Sequence, residues 1–223
     1  MSIELVDNTS TITETGAMNN MKLTLRGVVF SALFAAILVL FSFAKISLPL
    51  TPVPITLQTL AVMLAGGLLG ARYGFLSMAL VVVLTAIGFP LLHGNGGLGV
   101  VLGPTGGFIM IWPISALLIG LILPRIRVNG IMGYIAAFLV LEVFGSLILY
   151  LAGVPWLMYK VPTYTFAKAM TAACYPFLIG DAIKAVVAAL IIAPVRQVFP
   201  PQRLTGSSSH SVVKSNSPTD LSI

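Results

Sequence analysis

Long apolar stretches alternate along the chain with short segments that hold most of its charged residues and prolines. A helix needs about 20 consecutive apolar residues to cross the ~30 Å hydrocarbon core of a bilayer. Stretches near that length predict six spanning helices, at residues 27–44, 55–71, 73–92, 105–123, 128–152 and 175–196. The pattern therefore predicts an all-α integral membrane protein whose six transmembrane helices form one bundle.

Composition excludes the other broad classes of protein. Of the 223 residues, 58% are hydrophobic and only 8% are charged, whereas about 25% of the residues in a soluble domain are charged. A disordered chain is excluded as well, because such chains are poor in the Leu, Val, Ile and Phe that abound here. The single cysteine, Cys174, excludes an internal disulfide and a CxxC metal or redox pair.

Polar segments flank the apolar region at both ends. We predict a disordered cytoplasmic tail at residues 1–20, a six-helix membrane domain at 21–200 and a second disordered cytoplasmic tail at 201–223. The alternative for the first helix is a cleaved signal peptide, because Lys22 and Arg26 precede the apolar run and small residues end it. The run of 18 residues is longer than a usual signal-peptide core and follows an acidic segment, which favours a retained helix.

The distribution of Lys and Arg predicts how the bundle is oriented. With six spans, both termini lie on one side of the membrane, together with eight basic residues: Lys22, Arg26, Arg72, Arg125, Arg127, Arg196, Arg203 and Lys214. The loops on the opposite side hold three: Lys45, Lys160 and Lys168. Because positive charge accumulates in cytoplasmic loops, we predict cytoplasmic termini. The proline-rich loop after the first helix, the glycine-rich segment 94–107 and the segment 153–175 then share the outer face.

Seven of the fourteen residues in segment 94–107 are glycine. Residues 94–99 match GxGxxG, but a dinucleotide site also needs a preceding strand and an acidic residue about 20 positions later, where Ile119 stands. No Gly-Lys-Ser/Thr sequence occurs, which excludes a Walker A nucleotide site. A flexible turn and backbone contact with a small ligand remain, and the cost of ordering so many glycines favours ligand contact.

Three charged residues, Glu142, Asp181 and Lys184, lie inside predicted spans, where charge is costly and marks candidate functional sites. Asp181 and Lys184 are three residues apart, so they share one helix face. They form either a structural ion pair or a recognition pair, in which the carboxylate accepts N–H bonds and the ammonium donates to a carbonyl. For Glu142, a structural bond to another helix and a role in the site are both open. No metal centre and no catalytic residue are expected.

Four stretches together resemble one known family: TPVPITLQTLAVMLAGGLLG (51–70), GFP (88–90), GNGGLGVVLGPTGGF (94–108) and FLIGDAIKA (177–185). They are similar to the BioY family, the biotin-binding S components of energy-coupling factor (ECF) transporters. The resemblance implies a multi-pass subunit of the cell membrane that captures biotin from outside and delivers it for ATP-driven uptake. A membrane-embedded coupling (T) subunit and two ATPase subunits would be its partners. It implies no enzymatic activity and no cofactor, since biotin is the substrate.

The same resemblance implies which residues bind biotin. Asp181 and Lys184 would contact the head group, because the ureido ring offers two N–H donors and one carbonyl acceptor. The glycine-rich segment and the Thr-Leu-Gln segment add the remaining substrate-binding candidates: Asn95, Gly96, Gly97, Thr105, Thr56 and Gln58. The polar members of that set are equally suited to capping helix ends.

The partner of the biotin carboxylate stays open at this point. Lys45, His93 and Lys160 lie on the predicted outer side, and backbone N–H groups of the glycine-rich segment are an alternative. Five aromatic residues cluster near the outer end of the fifth predicted helix: Tyr150, Trp156, Tyr159, Tyr164 and Phe166. We expect most of them to form an interfacial belt and one or two to line the pocket.

Ala32 and Ala36 lie one turn apart on the first predicted helix. Small residues at this spacing let two membrane helices approach closely, and packing inside the bundle is the simpler interpretation of them. The resemblance instead implies that they form the interface with the coupling subunit.

Two other functional classes find little support. A membrane enzyme needs paired acidic residues, HExxH or a nucleophile beside a base, and none of these patterns occurs. An ion channel needs polar residues along a path through the bilayer, whereas the predicted spans are uniformly apolar.

Overall fold

The computed structural model describes residues 23–46, 53–126 and 130–206. These residues are mainly helical, with the following helices: α1 (Leu25–Phe43), α2 (Gln58–Ile87), α3 (Leu98–Val101), α4 (Gly106–Ile122), α5 (Gly130–Glu142), α6 (Ile148–Lys160), α7 (Phe166–Ala173), α8 (Tyr175–Val198) and α9 (Pro201–Thr205). A 3-10 turn, Leu123–Arg125, extends α4, and a π-helical turn, Val143–Leu147, joins α5 to α6. Strands β1 (Lys45–Ile46) and β2 (Ile55–Thr56) pair antiparallel, with Lys45 opposite Thr56.

In the described part of the chain, five helical stretches are long and apolar enough to cross a membrane: Leu25–Phe43, Gln58–Ile87, Gly106–Arg125, Gly130–Lys160 and Tyr175–Val198. The predicted all-α membrane fold is confirmed at this level. The second and third predicted spans, however, coincide mostly with the single helical element α2. The fifth predicted span ends at residue 152, whereas the helix ending in α6 continues through Pro155 to Lys160. Neighbouring groups in a bundle satisfy the backbone that a proline frees.

Helix α2 is interrupted at Gly70, whose φ of 78° and ψ of −179° are not helical. Glycine adopts this positive φ without steric cost, which explains the residue type at this position. A Cβ atom built on Gly74 would lie 2.9 Å from the Cα of Gly66. In a straight helix, residues eight apart are separated by about 12 Å. The chain therefore reverses near Gly70.

Contacts with α1 show the direction of the two halves of α2. At the start of α1, the Thr24 backbone N–H donates to the Tyr73 hydroxyl at 2.9 Å. At its end, Lys45 pairs with Thr56, and the Ser42 hydroxyl donates to the Leu91 carbonyl at 3.1 Å. The segments that flank α2 thus lie at the C-terminal end of α1, while its middle lies at the N-terminal end. The element is a helical hairpin.

Small residues let the helices pack closely around this hairpin. A Cβ atom on Gly66 would come within 2.6 Å of the Ala116 carbonyl oxygen, so α2 and α4 approach each other at backbone distance. The fully buried side chains around this contact include Ala61, Val62, Met78 and Ala116. Close packing of this kind stabilises helix pairs in lipid, where the hydrophobic effect gives no driving force between helices.

Helix α9 lies within the segment that the sequence predicts as a disordered tail. The Thr24 hydroxyl donates to the Thr205 carbonyl, and Thr205 is only 1% exposed. The boundary predicted at residue 200 is therefore too early, because α9 packs against the start of α1 and the turn of α2. The first predicted tail, residues 1–20, and residues 207–223 of the second lie outside the described residues.

Candidate functional site

A cavity of about 380 Å³ opens at the end of the bundle where α1 ends and α8 begins. Its volume is within the range of about 300–1,000 Å³ that is typical of small-molecule sites. Its larger apolar side chains are Leu92, Phe108, Ile109, Trp112, Leu149 and Phe177. Its polar side chains are Lys45, Thr56, Gln58, Thr59, His93, Asn95, Thr105, Tyr150, Asp181 and Lys184. An apolar wall with a few convergent polar groups is the usual character of a ligand site.

Asp181 and Lys184 form a buried ion pair on the cavity wall. The Lys184 Nζ atom lies 2.7 Å from Asp181 Oδ1, and the two residues are 8% and 4% exposed. Thr59 stands between them: its hydroxyl donates to Asp181 Oδ1 at 3.2 Å and accepts from Lys184 Nζ at 3.1 Å. The Tyr150 hydroxyl donates to the second carboxylate oxygen, Oδ2. The shared helix face predicted for the pair is therefore present, and side chains from α2 and α6 fix its geometry.

The pair keeps hydrogen-bonding capacity for a ligand. Asp181 accepts three bonds, from Thr59, Lys184 and Tyr150, whereas an ionised carboxylate offers about four acceptor positions. Lys184 donates two bonds, whereas an ammonium has about three N–H donors. One acceptor position, on Asp181 Oδ2, and one Lys184 N–H are thus not used by contacts within the protein.

Two further polar atoms on the cavity residues are buried without a protein partner, Gln58 Nε2 and His93 Nε2. The other end of the Gln58 amide is held, because the Thr56 hydroxyl donates to Oε1 at 2.9 Å. Leaving a buried polar atom unpaired costs about 1–3 kcal/mol. Both atoms belong to residues of the cavity wall, where a bound molecule would be a possible partner, although buried polar atoms of Ser77, Thr85, Glu142 and Ser146 are unpaired away from it.

Six of the eight substrate-binding candidates line the cavity: Asp181, Lys184, Asn95, Thr105, Thr56 and Gln58. The other two, Gly96 and Gly97, lie behind its wall. The Gly97 N–H donates to the Thr85 carbonyl at 2.6 Å, so it is engaged within the protein. A Cβ atom on Gly96 would overlap the Phe89 carbonyl. Close packing explains Gly96, and a positive φ of 90° explains Gly97. The same segment lines the cavity through Gly99 and Gly103 instead.

Of the five clustered aromatic residues, Tyr150 lines the cavity and the other four do not. Trp156 braces the glycine-rich segment, since its indole N–H donates to the Gly103 carbonyl at 2.9 Å. The Lys160 ammonium lies 5.1 Å from the Trp156 ring centre and 5.4 Å from that of Tyr159, in cation–π contact. Tyr164 makes a similar contact with Lys168 at 4.7 Å, and Phe166 is exposed.

Sequence reasoning missed several cavity residues. Thr59 links the charged pair to α2, yet it gave no signal beyond its position next to Gln58. Phe108, Trp112, Leu149 and Phe177 are apolar residues within or beside apolar spans. In such spans a residue that faces a cavity has the same chemistry as one that faces lipid, so composition alone does not distinguish them.

Two of the three candidate partners for a ligand carboxylate reach the cavity, Lys45 and His93, whereas Lys160 does not. The His93 backbone N–H donates to the Ser42 hydroxyl at 3.2 Å. Burial, and secondly the charge of Lys45, lowers the pKa of His93 below its usual 6.5. His93 is therefore neutral at pH 7.

Glu142 stands apart from the cavity wall. It immediately precedes the π-helical turn, and its Oε2 atom is buried without a hydrogen-bond partner. Its role, structural or in the site, stays open. Within the described ranges, no group of three or more His, Cys, Asp or Glu residues is arranged to hold a metal ion.

Ala32 and Ala36 are exposed on the outer surface of α1. The buried face of this helix consists of other residues: Gly27, Ser31, Ala35, Leu38 and Ser42. The two alanines therefore do not take part in packing within the described bundle.

Fold and site together define a multi-pass membrane protein with a solute-sized cavity whose polar groups surround a buried ion pair. The family model of the BioY family matches residues 15–201, and the chain belongs to this family.

Curated relatives support this assignment over most of the chain. The chain is 41% identical over 180 residues to the biotin transporter BioY of Rhizobium etli, covering 78% of this chain and 95% of the relative. It is 32% identical over 183 residues to the biotin transporter BioY of Lactococcus lactis, covering 80% and 94%. It is also similar to a crystal structure of the S-component for biotin from an ECF-type ABC transporter. That similarity has a TM-score of 0.71 and 30% identity, and covers 77% of this chain and 91% of the other.

Proposed function

We propose that this chain is the biotin-binding S component of an ECF transporter, which captures biotin from outside and delivers it for ATP-driven uptake. The observation that carries the proposal is the buried Asp181–Lys184 pair on the wall of the cavity. Its remaining acceptor and donor match a ureido ring, which offers N–H groups beside a carbonyl. The names of the curated relatives, biotin transporters, agree with this ligand.

The rest of the cavity suits the remainder of biotin. Phe108, Trp112 and Phe177 offer apolar and aromatic surface to the thioether ring and the aliphatic chain. Sulfur atoms make favourable contacts with aromatic ring edges. The proposed binding residues are those on the wall, and Thr59 and Tyr150 hold Asp181 in position for the ring.

We propose six membrane crossings, with the hairpin α2 contributing two. The reversal at Gly70 supports this count, because the segments flanking α2 lie at the cavity end of α1. Thr24 and Thr205 contact each other at the opposite end, which supports placing both termini on one side. The Lys and Arg distribution makes that side cytoplasmic. The cavity then faces outward.

The partners we propose are a membrane-embedded coupling subunit and two ATPase subunits. The exposed pair Ala32 and Ala36 is the proposed docking surface for the coupling subunit. A small-residue stripe that faces out of the bundle lets a second helix approach closely. The chain itself contains no Walker A sequence, so a separate subunit must supply ATP hydrolysis.

Identification of the co-purifying ligand tests the proposal. Protein extracted in detergent from cells grown with biotin, riboflavin and thiamine is denatured, and the released small molecules are measured by mass spectrometry. We expect near-stoichiometric biotin in the wild type and none in an Asp181→Asn variant. Recovery of riboflavin or thiamine instead of biotin, or equal biotin in both proteins, would contradict the proposal.

A further inference from the structure

A second set of polar groups lies in the cavity beside the end of α1. Lys45 follows α1 directly and pairs with Thr56 of β2. His93 is the first of two residues with positive φ, 56° for His93 and 78° for Gly94, in a tight turn closed by Leu92 and Asn95. Positive φ at both central positions is the conformation of a type I′ turn. The Ser42 hydroxyl accepts the His93 backbone N–H, so the turn is attached to the same helix end.

Both side chains have capacity for a ligand. The described part of the chain contains two acidic residues, Glu142 and Asp181, and the only ion pair found there joins Asp181 to Lys184. Lys45 therefore has no carboxylate partner among these residues. His93 Nε2 is buried and has no hydrogen-bond partner. Lys160, the third basic candidate, is held against Trp156 and Tyr159 away from the cavity.

The charge in the cavity is thus unevenly distributed. Asp181 and Lys184 cancel each other on α8, whereas the positive charge of Lys45 is not cancelled by a neighbouring carboxylate. A ligand that is neutral at one end and anionic at the other balances this arrangement. An ammonium and an imidazole N–H both donate to a carboxylate, and bonds to ionised groups are the stronger ones.

We infer that Lys45 and His93 form the subsite for the ligand carboxylate, so that the protein selects the free acid of biotin over its amide conjugates. This inference rests on the proposed function, since it concerns the second end of the same ligand. An amide replaces one acceptor oxygen with an N–H donor and has no charge. The N–H group of the amide would therefore face two other donors, the Lys45 ammonium and the His93 imidazole, and the Lys45 charge would have no counter-charge.

The subsite also gives biotin binding a defined pH dependence. Burial and the nearby Lys45 ammonium lower the pKa of free His93. A bound carboxylate favours protonated His93, so its pKa rises on binding and the complex takes up a proton. We therefore expect affinity to increase as pH falls from 7.5 towards 6, while biotin is still ionised. Lys45 is the charged group that acts on His93, and the other titratable groups of the wall, Tyr150, Asp181 and Lys184, belong to the cluster at α8.

Titration of the purified full-length protein in detergent with biotin and with biotinamide tests the inference. We expect the wild type to bind biotin roughly 10- to 150-fold more tightly, the range given by one hydrogen bond to a charged group. Lys45→Gln should lose most of the preference for biotin over biotinamide, because it weakens the binding of biotin and not that of biotinamide. Lys45→Arg should keep the preference. Lys160→Gln and Lys168→Gln are matched controls, because both remove a basic residue that makes cation–π contact.

His93→Asn tests the second residue, since Asn tolerates positive φ and does not titrate. We expect its biotin affinity to be unchanged between pH 6 and 7.5, whereas that of the wild type rises at pH 6. Equal affinity of the wild type for biotin and biotinamide would overturn the subsite and leave the proposed function intact. Equal weakening of biotin binding and biotinamide binding by Lys45→Gln would also overturn the subsite and leave the proposed function intact. Failure of the wild type to bind either ligand would instead overturn the proposed function.

Discussion

Substitution of Asp181 and Lys184 by uncharged residues, singly and together, tests whether this ion pair recognises the ligand or only stabilises the bundle. The singles, Asp181→Asn and Lys184→Met, each leave one charge behind in a site where the partners are 4% and 8% exposed. Breaking a buried ion pair from one side costs about 3–5 kcal/mol of stability, because the remaining charge is uncompensated. The double variant contains neither charge, so we expect its melting temperature to lie above those of both singles.

Biotin affinity should not recover in the double variant. Asp181→Asn removes an ionised acceptor for the ureido N–H, and Lys184→Met removes a charged donor for its carbonyl. Each such hydrogen bond contributes about 1.5–3 kcal/mol, which corresponds to roughly a 10- to 150-fold increase in Kd. We therefore expect weaker binding in each single variant and no tighter binding in the double variant than in the weaker single.

The assay pairs thermal unfolding in detergent with calorimetric titration of the same preparations. Thr59 and Tyr150, which bond to Asp181 in the wild type, are not substituted in any of the three variants. A double variant that binds biotin as tightly as the wild type would refute the reasoning, because the pair would then serve only the stability of the bundle.

Three further substitutions test other parts of the account. Tyr150→Phe removes one of the three hydrogen bonds to Asp181 and should weaken biotin binding about 5- to 10-fold. Tyr159→Phe, at an exposed ring, should leave biotin binding unchanged. Equal effects of the two substitutions in a titration would argue against a role for the Tyr150 hydrogen bond. Ala32→Leu and Ala36→Leu should abolish co-purification with the coupling subunit, because a larger side chain prevents close approach of a second helix. Both variants should still bind biotin. Loss of biotin binding would instead show that the two alanines pack inside the bundle. Gly70→Ala forces a side chain into a φ of 78° and a ψ of −179°, a region that is essentially restricted to glycine, and should lower stability by about 1–3 kcal/mol. Gly180→Ala lies inside α8 with open space around it and should not lower stability. Unfolding curves that coincide for the two would contradict the hairpin turn.

The charged pair was predictable because charge inside an apolar span is rare. Asp181 and Lys184 stand out against their neighbours, and their spacing of three residues sets them on one helix face. The side chains that hold them do not stand out. Tyr150 and Thr59 are 31 and 122 residues away from Asp181 along the chain, so their contacts depend on how three helices pack.

The division of the apolar region into helices was predictable from the sequence, except where contacts between helices determine the ends of a helix. Arg72 suggested an interruption between two spans, and the reversal lies close by, at Gly70. The fifth predicted span ends at residue 152, whereas α6 continues through Pro155 to Lys160. The polar character of residues 201–205 gave no sign of α9, whose position depends on the contact between Thr205 and Thr24. The resemblance grouped Gly96 and Gly97 with the ligand residues, whereas neither lines the cavity. A Cβ on Gly96 would overlap the Phe89 carbonyl, and Gly97 has a positive φ of 90°.

A crystal structure of the biotin complex is the most direct test of the central claim, which is that Asp181 and Lys184 bind the ureido ring. We predict a ring N–H and the ring carbonyl within about 2.7–3.2 Å of the Asp181 carboxylate and Lys184 Nζ. The carboxylate of biotin should point towards Lys45 and His93. A complex with the ring at Lys45 and the carboxylate at Lys184, or with biotin outside this cavity, would contradict the account.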